Sequence, residues 1–146
     1  VHSPLLKIRK ACKKHIRYNN LKHWINDFKN AGIQEIKLAG AGDPLNHPRI
    51  ADILTSLKKK GFRVCLNTSL YPLPEKFADL LTDIRLDELT LSLWAGNSEE
   101  WSRMHPKVPA NHFQKISEFL LQLEKYKALK NTVFPRIKIY NVYIIS

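Results

Sequence analysis

A glycine-rich stretch with one carboxylate and two prolines, residues 38–48, contains the residue types most suited to chemistry. It reads Leu-Ala-Gly-Ala-Gly-Asp-Pro-Leu-Asn-His-Pro. Gly40 and Gly42 permit backbone angles and close approaches that a side chain would prevent. Pro44 and Pro48 stiffen the turn and leave carbonyl groups without competing amides. Such a loop suits a small polar ligand, and an ordinary strand-to-helix turn with two glycines is the alternative.

The elements that must position this loop alternate between helical and extended periodicity from Asn20 onward. The predicted strands are Ile33 to Ala39, Phe62 to Asn67, Glu88 to Trp94 and Arg136 to Ile145. The predicted helices run from Asn20 towards Gly32, from near Pro48 to Gly61, from Leu73 to Ile84 and from about Ala110 to Lys127. Their expected buried positions are Leu21, Trp24, Ile25 and Phe28; Ile50, Ile53, Leu54 and Leu57; Phe77, Leu80 and Leu81; and Phe113, Ile116, Leu120 and Leu123.

Strands separated by helices predict right-handed βαβ crossovers and therefore an α/β fold with a parallel sheet. Either a barrel or an open sheet would satisfy this pattern. In both, ligands bind at the carboxyl ends of the strands. The polar or aromatic residues expected there are Gly40 to Asp43, Asn67, Thr68, Ser69, Ser92, Trp94, Asn141 and Tyr143.

These side chains also have purely structural interpretations. Asp43 suits an ammonium group, yet it could equally cap the following helix or close an Asx turn. Asn67 and Ser92 suit hydroxyl groups or a carboxylate, whereas Ser92 could simply be a small strand residue. Trp94 could stack on a ligand or be a buried aromatic residue at the rim of the sheet.

Composition limits the classes of function. The chain has 146 residues and a net charge of +11, and its basic residues include a block without acids: Lys7, Arg9, Lys10, Lys13, Lys14 and Arg17. A solvated basic segment, an anionic substrate or partner, and nucleic-acid binding are the alternatives for this block. No apolar run approaches the length of a membrane span, so no membrane partner is expected. Cys12, Cys65 and six histidines show no metal-ligand spacing.

Three motifs together resemble the radical S-adenosylmethionine enzyme family. Ala41 to Pro48 resembles the family's second-strand motif, which is usually Gly-Gly-Glu-Pro followed by Leu and often His-Pro. Asn67-Thr68-Ser69 is similar to the end of the third strand. Leu91 to Gly96, followed by Met104-His105-Pro106 and Phe113, resembles the fourth strand and the helix after it.

The resemblance implies a partial (β/α) TIM barrel over residues 20–146, covering the second to fifth strands, after a basic lead-in segment at 1–19. It implies two cofactors, S-adenosylmethionine and a 4Fe-4S cluster held by a C-x3-C-x2-C motif. This chain lacks that motif, which is expected just before Val1, so the chain is expected to be a segment of a longer enzyme. The implied cofactor-binding residues are Gly40, Ala41, Gly42, Asp43, Asn67, Ser92 and Asn141, with Asp replacing the commoner Glu.

In the intact enzyme, the implied activity is formation of a 5′-deoxyadenosyl radical that abstracts hydrogen from an unknown substrate. That substrate could be a small molecule, a peptide or RNA, and an electron donor is also implied. A cytoplasmic location is expected from the cysteine content. The alternative is a non-catalytic (β/α) module that binds an anionic partner such as RNA through the basic segment.

Overall fold

The computed structural model describes residues 16–40 and 42–140 of the chain. Helices and strands alternate, as the periodicity predicts. The strands are β1 (Glu35–Leu38), β2 (Arg63–Thr68), β3 (Glu88–Ser92) and β4 (Arg136–Tyr140). The helices are α1 (Tyr18–Asn30), α2 (Ile50–Lys59), α3 (Phe77–Asp83), α4 (Ser98–Met104) and α5 (His112–Leu129), and a short 3-10 helix (Pro44–Asn46) precedes α2.

The four strands form one parallel sheet in the order β1-β2-β3-β4. The predicted α/β class and parallel pairing are therefore confirmed. Because the spatial order equals the chain order, each helical crossover joins two neighbouring strands. All the carboxyl ends lie at one edge of the sheet, here called the carboxyl edge.

The two faces of the sheet differ in chemistry. Val64, Leu66, Leu89 and Leu91 are almost completely buried and belong to the same apolar core as the helices. Successive strand residues point to opposite faces, so the residues between them form a second face, here called the polar face. By this alternation the polar face comprises Glu35, Lys37, Arg63, Cys65, Asn67, Glu88, Thr90, Ser92, Arg136, Lys138 and Tyr140.

Helix α2 agrees closely with its sequence pattern. Ile50, Ile53, Leu54 and Leu57 are all buried, as predicted. The chain leaves the helix at Gly61, whose φ of 76° lies in the left-handed region that glycine adopts without strain.

Other elements differ from their predictions. Trp24 is 43% exposed, so the expectation that it joins the core is wrong, whereas Ile25 on the same helix is buried. Helix α3 begins at Phe77 rather than near Leu73. The sequence pattern missed α4, which has only 7 residues and one buried side chain, Trp101.

Within the described part of the chain, no helix is both long and apolar enough to cross a bilayer.

Candidate functional site

Among the described residues of the carboxyl edge, Asp43 has the side chain with the most hydrogen bonds. Its carboxylate accepts hydrogen bonds from the Leu45 backbone N–H at 2.9 Å and from the Ser69 backbone N–H and hydroxyl, both at 2.7 Å. The Thr68 hydroxyl lies 2.8 and 2.9 Å from its two oxygens. These bonds join the glycine loop to the end of β2, since the partners are 25 and 26 residues further along the chain.

This arrangement confirms the structural interpretation of Asp43 as an Asx-turn residue, because its side chain caps the 3-10 helix. Both carboxylate oxygens already accept hydrogen bonds in the folded chain. Its role as a direct ligand for an ammonium group stays a prediction, and an ammonium would have to share these oxygens with Thr68 and Ser69.

The glycines of the loop are not required by local conformation. Neither Gly40 nor Gly42 has a φ in the left-handed region, so the structure does not use the backbone freedom that these glycines permit. Among the described residues, a Cβ atom on Gly42 would have no atom within 4 Å, and one on Gly40 would meet only the Gly42 backbone at 3.6 Å or beyond. The loop therefore leaves open space against its backbone, where a ligand could approach closely.

A groove of about 490 Å³ runs beside this loop, within the size range of small-molecule sites. Its lining includes the loop residues Gly40, Gly42 and Asp43. Apolar side chains also line it, namely Ile16, Leu21, Leu38, Ile50 and Ile53. The groove therefore combines apolar surface with exposed backbone groups, as sites for small organic ligands do.

Asn67 and Ser92 meet on the polar face, on neighbouring strands. The Ser92 hydroxyl lies 3.0 Å from Asn67 Oδ1, to which it donates. The Nδ2 group of Asn67 has no hydrogen-bond partner among the described residues. Neither residue lines the groove, so the structure places the predicted site residues in two groups along the carboxyl edge.

The amino-terminal half of the polar face is occupied by an ion-pair series. Arg63 pairs with Glu35 at 2.7 Å and lies 3.7 Å from Glu88, which pairs with Lys138 at 2.8 Å. The hydrogen bond from Lys138 lowers the pKa of Glu88, and burial raises the pKa of the Cys65 thiol. These charges satisfy one another, and Cys65 is a buried strand residue, as the sequence predicts.

The sequence did not predict the surroundings of two aromatic side chains, Trp94 and His112. Trp94 lies two residues beyond β3, is 45% exposed and has a φ of 55°, so the alternative of a buried rim residue is wrong. His112 is buried, and its Nε2–H donates to the Leu70 carbonyl at 2.9 Å. No spacing signal identifies His112, because Leu70 is 42 residues away.

Some predicted residues lie outside the described residues: Ala41, Asn141, Tyr143, Cys12, and the basic block apart from Arg17. Among the described residues, no group of three or more histidine, cysteine or acidic side chains is arranged to hold a metal ion.

No known family model matches the chain, and no curated protein matches its sequence. The radical S-adenosylmethionine resemblance therefore depends on the three sequence motifs.

Proposed function

We propose that this chain is the central part of a radical S-adenosylmethionine enzyme core, a partial (β/α) barrel that binds S-adenosylmethionine at its carboxyl edge. The observation that carries the proposal is the open backbone of the glycine loop beside a groove of about 490 Å³. This loop follows the first described strand and contains Gly40, Gly42 and Asp43, which the resemblance implies as cofactor-binding residues. The sequential parallel strand order supports the same assignment.

The hydrogen-bonding groups at the carboxyl edge match the polar groups of S-adenosylmethionine. Backbone carbonyls of the loop at Gly40 and Gly42 would accept hydrogen bonds from the methionyl ammonium group. Asp43 holds this loop to β2 through Thr68 and Ser69. Asn67 lies on the polar face outside the groove, and its Nδ2 group, which has no hydrogen-bond partner among the described residues, suits a carboxylate or a ribose hydroxyl. In the intact enzyme, bound S-adenosylmethionine would supply the deoxyadenosyl group for hydrogen abstraction.

The iron–sulfur cluster does not fit this chain. The sequence has two cysteines and no C-x3-C-x2-C motif, and Cys65 is buried within β2. The proposal for this chain therefore ends at cofactor binding and positioning, and the cluster ligands of the proposed enzyme would come from another segment.

Calorimetric titration of the purified chain with S-adenosylmethionine tests the proposal. We expect saturable binding that Gly42→Val weakens at least tenfold, because the valine side chain would fill the open space against the loop. The thermal midpoint should hardly change, since no atom of the described part of the chain lies within 4 Å of the new Cβ. Ala31→Val, at the exposed end of α1, is the matched control and should bind normally.

Absence of S-adenosylmethionine binding by the unmodified chain would refute the proposed cofactor site. Equal binding by the Gly42→Val and Ala31→Val variants would show that the cofactor binds elsewhere. The alternative, an RNA-binding module, predicts RNA affinity with a steep logarithmic dependence on salt concentration instead.

A further inference from the structure

Two large aromatic side chains are exposed at the carboxyl edge, on adjacent strands. Trp94, two residues after β3, is 45% exposed, and Tyr140, the last residue of β4, is 57% exposed. Burial of large aromatic side chains is energetically favourable, so the exposure of two of them at one edge of a sheet favours a binding surface there.

The backbone brings these two residues close together. Tyr140 pairs in register with Ser92, and the Leu93 N–H donates to the Tyr140 carbonyl at 3.2 Å. The pairing of β3 with β4 thus continues up to the residue before Trp94. Tyr140 and Ser92 lie on the polar face, and Ser92 donates a hydrogen bond to Asn67.

The conformation of Trp94 is also unusual. Its φ of 55° lies in the left-handed region, which is unfavourable for a bulky aromatic residue. Such conformations are concentrated at ligand sites, where the surrounding structure compensates for their cost. Here the neighbours are well fixed, because Ala95 is buried and Leu93 is bonded to β4.

From these observations we infer that Trp94 and Tyr140 form a stacking surface for a planar aromatic ring of the substrate. This inference rests on the proposed function, since it assigns a substrate class to the same edge of the sheet. Aromatic faces attract other flat rings through dispersion and offset stacking. The amide and hydroxyl of Asn67 and Ser92 lie on the polar face with Tyr140 and would bind polar atoms at the edge of the ring.

The ring could be a nucleobase or an aromatic amino-acid side chain, because both present the same flat, polarisable surface. Two matched pairs of small probes separate these sources. Adenosine monophosphate is compared with ribose 5-phosphate, which lacks the base. N-acetyltyrosinamide is compared with N-acetylleucinamide, which lacks the aromatic ring.

The experiment records the indole N–H signals of the ¹⁵N-labelled chain by NMR during each titration. The chain has three tryptophans, and Trp→Phe variants assign their signals. Trp24 on α1 is 43% exposed and therefore serves as an internal control for Trp94 at 45%. We expect an aromatic probe to shift the Trp94 signal saturably. This shift should be at least fivefold larger than the shift of the Trp24 signal with the same probe. It should also be at least fivefold larger than the shift of the Trp94 signal with the matching non-aromatic probe.

The larger response identifies the source, nucleobase or aromatic side chain. Trp94→Leu should weaken binding of that probe at least tenfold, and Trp24→Leu should leave it unchanged. Equal shifts of Trp24 and Trp94, or no shift of Trp94 with either aromatic probe, would overturn the inference.

Calorimetry with S-adenosylmethionine separates this inference from the proposed function. Normal cofactor binding with a Trp94 signal unresponsive to both aromatic probes would refute the stacking surface alone. If S-adenosylmethionine itself moves the Trp94 signal and excludes adenosine monophosphate, the surface holds the cofactor's adenine and the substrate assignment is wrong.

Discussion

The two faces of the sheet are built by the same strands but differ in what their residues do. Leu66 and Leu89 point into the helix-covered core and are completely buried. Asn67 and Ser92 point to the polar face and bond to each other. Parallel sheets are usually apolar on both faces. The amides, hydroxyls and ion pairs of the polar face therefore distinguish it from the face that packs against the helices.

Replacing neighbouring residues on β2 gives the strongest test of this comparison. Leu66→Ala removes a fully buried side chain and should lower the free energy of unfolding by about 2–5 kcal/mol. Asn67→Ala, on the polar face, should lower it by less than about 1 kcal/mol, since its Nδ2 group has no partner among the described residues. Urea unfolding followed by circular dichroism measures both, and similar losses would contradict the division between faces.

A smaller effect is expected where the carboxyl edge depends on side-chain hydrogen bonds. Asp43→Ala leaves the Leu45 and Ser69 backbone N–H groups without their acceptor and should cost about 1–3 kcal/mol. Asp27→Ala, at an exposed site on α1, is the control. Urea unfolding measures the difference, and equal stability of the two variants would show that the glycine loop does not need Asp43.

The smallest expected effect concerns pH and the buried His112. Burial lowers the pKa of this imidazole, so the unfolded chain binds its proton more strongly than the folded chain does. Neutral His112 therefore makes its full contribution to the free energy of unfolding above about pH 6.5, the pKa of histidine in the unfolded chain. It decreases as pH falls below that value.

Thermal melting between pH 8 and pH 5 measures this dependence. The midpoint should fall with pH in the unmodified chain and fall less steeply in His112→Gln. His23→Gln, at an exposed site on α1, should follow the unmodified chain. An unchanged slope in His112→Gln would assign the pH dependence to other groups.

Local patterns in the sequence predict most of the fold. Helix α2 was predictable because Ile50, Ile53, Leu54 and Leu57 have helical spacing and Gly61 follows. The same rule misplaces Trp24, because periodicity identifies a helix face but not how far the neighbouring elements cover it. Helix α4 was missed because 7 residues are too few to show a period.

The sequence predicts which side chains lie at the carboxyl edge but not their contacts. The carboxyl ends of parallel strands meet at one edge; Asp43 follows β1, Asn67 is the second-last residue of β2, and Ser92 is the last residue of β3. The bonds of Asp43 to Thr68 and Ser69 cross 25 and 26 residues of chain, so no spacing rule reveals them. The conformation of Trp94 depends on how the chain leaves β3, which propensity does not specify.

The order of the strands in the sheet, which equals their order in the chain, determines where local unfolding begins. Among the described residues, β1 pairs only with β2, and β4 pairs only with β3. Both outer strands are largely exposed, whereas most residues of β2 and β3 are buried. Local unfolding should therefore proceed from either end, with amide hydrogens of the outer strands exchanging with solvent before those of β2 and β3. Because Tyr140 ends β4, the proposed stacking surface would be among the first parts of the sheet to separate.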